Sequence, residues 1–170
     1  MLRLDIGSLP EGHSHQNLSE DASDLDIVFE GGRAVSPVAV SLDIDKSGDE
    51  IFLAGRATVN IQLECARCLS EYPCVLGAPF QMVIVVGEPP GASDRREDEL
   101  YVPSGSKYVE LGDEVRSELL VRLPLKPLCK KDCRGLCPTC GTNLNGATCA
   151  CETAHGDSRW DALKRLRKDA

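Results

Sequence analysis

Nine cysteines constrain this chain more than any other feature. Six fall between Cys129 and Cys151 in "CKKDCRGLCPTCGTNLNGATCAC", and three, Cys65, Cys68 and Cys74, lie far upstream in "CARCLSEYPC". An odd number fits a disulfide framework poorly. The opening "MLRLDIGSLPEGHSHQ" has no apolar run that would serve as an export signal. No later stretch approaches the ~18 apolar residues of a membrane span. The expected location is therefore the cytoplasm, with no membrane partner. Thiols stay reduced there, and clustered cysteines are more often metal ligands than disulfides.

The spacings favour metal. A structural zinc site takes four soft ligands in a tetrahedron, commonly as two pairs on tight turns. Cys65-x-x-Cys68 and Cys137-x-x-Cys140 have the usual separation, Cys129-x-x-x-Cys133 is looser, and Cys149-x-Cys151 is tighter. With Cys74 set aside as a small buried hydrophobe, eight cysteines make two four-cysteine sites, hence two zinc ions. The preferred grouping is local: Cys137, Cys140, Cys149 and Cys151 close on themselves through "GTNLNGAT". Cys65, Cys68, Cys129 and Cys133 then form a second site that ties the tail to the body. Interleaved pairings satisfy the same spacings and stay open. His155, near Cys151, is a spare candidate ligand, whereas His13 and His15 read as loop residues.

All-cysteine zinc sites are coordinatively closed and structural rather than catalytic. A thiol–disulfide enzyme would need an activated, exposed thiolate at a helix start, but "CARC" follows a strand pattern. An iron–sulfur cluster would use the same ligands but needs an assembly system. A structural zinc can contribute on the order of 10 kcal/mol of apparent binding free energy. That compares with ~5–15 kcal/mol for a domain's whole stability. Residues 125–157 carry few large apolar side chains and are expected to be unfolded without metal.

The rest of the chain reads as α+β. "LRLDI", "DLDIVF", "SPVAVSLDID" and "IFLAGRATVNIQLEC" alternate apolar and polar residues, the mark of half-buried strands. "FQMVIVVG" is nearly continuous and predicts a more buried strand. "EGHSHQNLSED" and "EPPGASDRREDEL" read as polar loops, and "YVPSGSKYVEL" as a brief return to strand. In "GDEVRSELLVRLP", Val115, Leu119 and Leu123 recur every four residues and predict a helix across the sheet, capped by Asp113 and ended by Pro124. "DSRWDALKRLRK" predicts a short closing helix. The fold expected is an antiparallel β-sheet body, folded over or partly closed into a barrel-like form, with one packed helix over 1–125, followed by a cysteine-rich, zinc-binding tail over 126–170. The two are tied into one unit through Cys65 and Cys68.

Charge divides at the same place. Residues 1–125 hold 10 Lys/Arg against 22 Asp/Glu, and residues 126–170 hold 9 against 5. A basic tail on an acidic body points to different partners for the two parts, an anionic one for the tail. Each four-thiolate zinc unit carries a −2 charge, so two would move the formal −8 to about −12. No Ser–His–Asp set, phosphate loop or dinucleotide fingerprint appears, and no enzyme activity is expected.

"ECARCL", "LPLKPLCKKDCRGLCPTCGTNLN", "CAC" and the terminal "DSRWDALKRL" closely resemble the YceD family, the large ribosomal RNA subunit accumulation proteins. The residues that carry the resemblance are Cys65, Arg67, Cys68, Cys129, Cys133, Gly135, Cys137, Cys140, Gly141, Asn143, Leu144, Asn145, Cys149 and Cys151. The closing motif departs at Ser158, where the family commonly has proline. The resemblance implies a ribosome-biogenesis factor that supports synthesis, processing or stability of 23S rRNA. Its partner would be the 23S rRNA precursor or a large-subunit assembly intermediate, met directly or through a ribosomal protein. Candidate contacts are Arg134, Arg159, Lys164, Arg165, Arg167 and Lys168. The alternative reading is a regulator that senses redox state or zinc through its thiols.

Overall fold

A computed structural model describes residues 1–89 and 99–151. The closing helix expected over 157–168, with Arg159, Lys164, Arg165, Arg167 and Lys168, lies outside the described residues. So do His155 and most of the acidic loop before Glu99.

The elements are β1 (Arg3–Asp5), β2 (Gly12–Glu20), β3 (Gly32–Ala34), β4 (Val38–Ser47), β5 (Glu50–Glu64), β6 (Glu71–Val86), β7 (Glu99–Val102), β8 (Tyr108–Glu110) and α1 (Gly112–Val121). The two-residue period dictates the central strands. β4 buries Val38, Val40, Leu42 and Ile44, and β5 buries Ile51, Leu53, Ala57, Val59, Ile61 and Leu63. Intervening side chains such as Asp43, Asp45 and Phe52 face out. A tight turn at Gly48, with φ 60°, joins β4 to β5. β5 then pairs with β6 in unbroken register from Glu50↔Val85 to Glu64↔Glu71.

The main sheet runs β2-β4-β5-β6-β7, with β3 beside the far half of β5. Its outer strands are β2 and β7, and no pairing among the described residues joins them into a closed barrel. It is antiparallel except for the parallel β6–β7 pair. β1 and β8 form a separate two-stranded ribbon. The ribbon and α1 contribute Leu4, Val109, Leu111, Val115 and Leu119 to the single large core. α1 lies across β6 and β5, as its four-residue repeat predicts.

Four local expectations are corrected. "EGHSHQNLSED" is not a loop but supplies β2, where His13 and His15 stand opposite Asp45 and Asp43. As an edge strand with no fully buried side chain, it lacks the apolar alternation that would reveal it. "DLDIVF" is a turn whose Leu25 and Ile27 plug the core, with Asp26 at φ 50°. Leu111, not Asp113, is the helix N-cap, and no side chain caps the start. "FQMVIVVG" buries only one face: Phe80 and Ile84 are inside, whereas Val83 and Val85 are partly exposed.

Candidate metal centres

The first centre begins where β5 stops. Cys65 follows Glu64, and the chain reverses at once: Leu69 N–H donates to the Cys65 carbonyl and Cys65 N–H to the Ser70 carbonyl. Leu69 takes φ 58° to close this turn. The knuckle brings Cys68 beside Cys65. The tail segment docks on it through Ala66 N–H to the Pro127 carbonyl (2.9 Å) and Leu136 N–H to the Arg67 carbonyl (3.2 Å). Cys129 and Cys133 thereby meet the upstream pair. The Cys65–Cys133 sulfur separation is 3.8 Å and the Cys68–Cys129 separation is 3.7 Å.

Those distances discriminate between chemistries. A disulfide needs about 2.05 Å, and all nine cysteines are free. Four sulfurs about 2.3 Å from a tetrahedral zinc lie about 3.8 Å apart along each edge. The four sulfurs of Cys65, Cys68, Cys129 and Cys133 all lie within 4.8 Å of one another. Such spacing suits one ion better than a multi-iron cluster, whose metals would push the thiolates apart.

Cys137, Cys140, Cys149 and Cys151 form the second group within the same 4.8 Å limit. Here Cys137 N–H bonds the Thr142 carbonyl and Gly141 N–H bonds the Cys137 carbonyl, a tight knuckle with Gly141 at φ 72°. The sulfurs thus gather in the local grouping favoured by the sequence, not an interleaved one. Cys74 stays apart, half-buried on β6 against the core.

Electrostatics give both groups the character of cation sites. The Cys65 thiol is held down to about 6, chiefly by a backbone hydrogen bond from Cys129. Cys129 is pushed up to about 12 by burial and by the neighbouring thiols of Cys68 and Cys133. In the second group, hydrogen bonds from Thr142 bring Cys140 down to about 6. Cys151 is driven up to about 12, first by Cys140 and then by burial. Some thiols in each group ionise readily, and their charge opposes ionisation of the rest. A divalent cation between them removes that opposition.

A polar network, whose roles sequence reasoning missed, joins the two groups. Asn145 lies in the second loop, yet its Nδ2 donates to Cys133 Sγ (3.3 Å) in the first group, and its Oδ1 accepts from Arg134 N–H (2.9 Å). Asn143 Oδ1 accepts from Asn145, and Asn143 Nδ2 donates to Ser70 Oγ. Arg67 Nη1 donates to the Cys133 carbonyl (2.9 Å). Gly135 takes φ 76°, and a Cβ there would stand 3.0 Å from the Arg67 carbonyl, so only glycine fits without strain. The only signal for these roles was the "NLN" and "CRG" of the family-like motif. Arg134 itself is exposed and makes no ion pair with a described residue.

A family profile described as "Large ribosomal RNA subunit accumulation protein YceD" matches residues 53–167, which include every residue of both thiol groups. The chain belongs to the YceD family. This YceD-family chain is 28% identical over 182 residues to "Large ribosomal RNA subunit accumulation protein YCED homolog 1, chloroplastic" of Zea mays, covering 88% of this chain and 61% of that protein. The Arabidopsis thaliana protein of the same description is 27% identical over 158 residues, covering 78% and 49%. An uncharacterized Mycobacterium leprae protein is 26% identical over 119 residues, covering 69% and 52%. The chain thus spans about half to three fifths of the length of these relatives. No solved structure matches it. No helix among the described residues is long and apolar enough to cross a membrane.

Proposed function

We propose that this chain supports accumulation of large-subunit (23S) ribosomal RNA as a non-catalytic ribosome-biogenesis factor that acts in the cytoplasm. The carrying observation is the family match over 53–167, together with the accumulation role that the names of the maize and Arabidopsis relatives state. Two zinc ions fill the two thiol groups, with Cys65, Cys68, Cys129 and Cys133 on one and Cys137, Cys140, Cys149 and Cys151 on the other. Saturated four-thiolate coordination leaves no open position for substrate, which favours a structural over a catalytic role. The zinc sites hold a platform whose cations meet the pre-rRNA or an assembly intermediate. Support comes from the clustering of Lys126, Lys130, Lys131 and Arg134 along the first group, with Asp132 the only acid among them.

Depletion of the protein in its own cells should lower 23S relative to 16S rRNA, and the intact chain should restore the ratio. A normal ratio after depletion overturns the reading. Metal analysis of the purified protein should give two equivalents of zinc. Binding of a 23S precursor fragment should weaken steeply with salt, and more weakly after Arg134→Ala. A second reading, a thiol-based redox or zinc sensor, draws support from Cys140, which is exposed with its thiol held to about 6. It predicts zinc release by mild oxidant at stoichiometric levels, which a purely structural centre resists.

A further inference from the structure

We infer that the free edge of β2 is a docking strand for a lysine- and arginine-rich extended segment of a partner protein. Three independent observations converge there. First, β2 pairs with β4 along its full length, from Gly12↔Lys46 to Glu20↔Val38, and no backbone hydrogen bond ties its other edge to any described residue. Every second residue of this nine-residue strand turns its N–H and C=O to the open edge, which makes a template for strand addition. Natural sheets usually blunt such an edge with lysine, proline or a bulge. The sequence "GHSHQNLSE" has no lysine and no proline, and its register is unbroken.

Second, the charge selects the occupant. Residues 11–50 carry ten carboxylates against two cations, Arg33 and Lys46. Both cations are already paired, Arg33 with Glu71 at 3.0 Å and Lys46 with Glu11 at 3.8 Å. The stretch has a formal −8, and cations from outside it pair with two of its carboxylates, the N-terminal amine with Glu20 and Arg116 with Asp26, which leaves it strongly acidic. Its field repels nucleic acid and draws a basic chain.

Third, the edge ends in an apolar groove. A cavity of about 580 Å³ opens where β2 ends and β4 begins, lined by Asp21–Ser23, Ile27–Phe29 and Gly32–Pro37. Val28 and Val35 in its wall are 76% and 54% exposed. In strand addition, main-chain bonds give affinity and side-chain pockets give specificity. The groove would take one apolar side chain of the added segment. This inference does not rest on the RNA-contact reading, which uses the opposite charge and different residues.

The test uses the full-length, zinc-loaded protein and two labelled peptides of about ten residues. One alternates Lys/Arg with Val/Thr, and the other replaces each cation with Glu. The basic peptide should bind, lose at least about tenfold in affinity between low and high salt, and slow amide hydrogen exchange across Gly12–Glu20. Successive amides alternate between the two sides of a strand, so one of Gln16→Pro and Asn17→Pro removes an edge-facing N–H and the other a ladder bond. The edge-facing variant should keep its fold and bind at least about tenfold more weakly. Val28→Ser should also weaken binding. Equal binding of the acidic peptide, or basic-peptide binding with no exchange protection in β2, overturns the inference. If neither proline variant folds, the exchange result on the unmodified protein decides.

Discussion

The two thiol groups each use four cysteines, but to different ends. In the first, Cys65, Cys68 and Cys133 are at most 4% exposed, and the ligands come from the end of β5 and from a segment more than sixty residues away. In the second, Cys140 is exposed and every ligand falls within Cys137–Cys151. Arg67, Lys126, Lys130, Lys131, Asp132 and Arg134 are interspersed in sequence with the first group, whereas residues 137–151 contain no Lys, Arg, His, Asp or Glu. The first centre therefore belongs to the body's architecture, and the second folds a loop upon itself. Four gathered thiols suit a metal ion in either group; the chain distance between them sets what a bound metal would stabilise.

The largest expected effect separates them directly. Cys133→Ser should cost one metal equivalent and several kcal/mol of stability, because it breaks a buried centre that clamps β5 to the tail. Cys140→Ser should also cost one equivalent but leave the melting of the β body within a few degrees. Metal analysis and thermal unfolding of both variants check this, and equal destabilisation would erase the distinction. Next, a chelator should strip the exposed second centre first. Zinc release followed with a chromogenic indicator should show two phases, and Cys140→Ser should remove the fast one.

Smaller effects probe the link between the centres. Asn145→Ala removes a donor to Cys133 Sγ and the acceptor for Arg134 N–H, and should cost about 1–3 kcal/mol. It should also accelerate the slow phase of zinc release. Gly135→Ala forces a Cβ into a left-handed backbone against the Arg67 carbonyl and should cost about 1–3 kcal/mol in thermal unfolding. Cys74→Ala should be the mildest, within about 1.5 kcal/mol with both metal equivalents retained.

The same contrast governs what could be read from the sequence. β4 and β5 were legible because each buries one face, so Val38, Val40, Leu42 and Ile44 print the two-residue period directly. The sulfur groups were legible because ligand spacing is local, and Cys65 and Cys68 were assigned to Cys129 and Cys133 by elimination of the self-closing set. β2 was not legible, since its stability comes from backbone pairing to β4 while its side chains stay polar. "DLDIVF" misled because Leu25 and Ile27 alternate as a strand would, yet reach the core from a turn. The roles of Asn143 and Asn145 depend on a tertiary meeting with Ser70 and Cys133 that no local pattern encodes.

The separation of Cys68 from Cys129, 61 residues, also has a consequence in time. A chain made from its N-terminus exposes "CARC" long before its partners exist, and the pair must wait for the sheet to form. The Cys137–Cys151 loop can close in well under a microsecond once complete, whereas a sheet of long-range antiparallel pairings takes milliseconds to seconds. Metal can therefore occupy the second centre on an otherwise unfolded chain, but it can complete the first only after β5 and the tail have met. Completion of the first four-sulfur group thus reports that two segments more than sixty residues apart have docked, which closure of the second group does not.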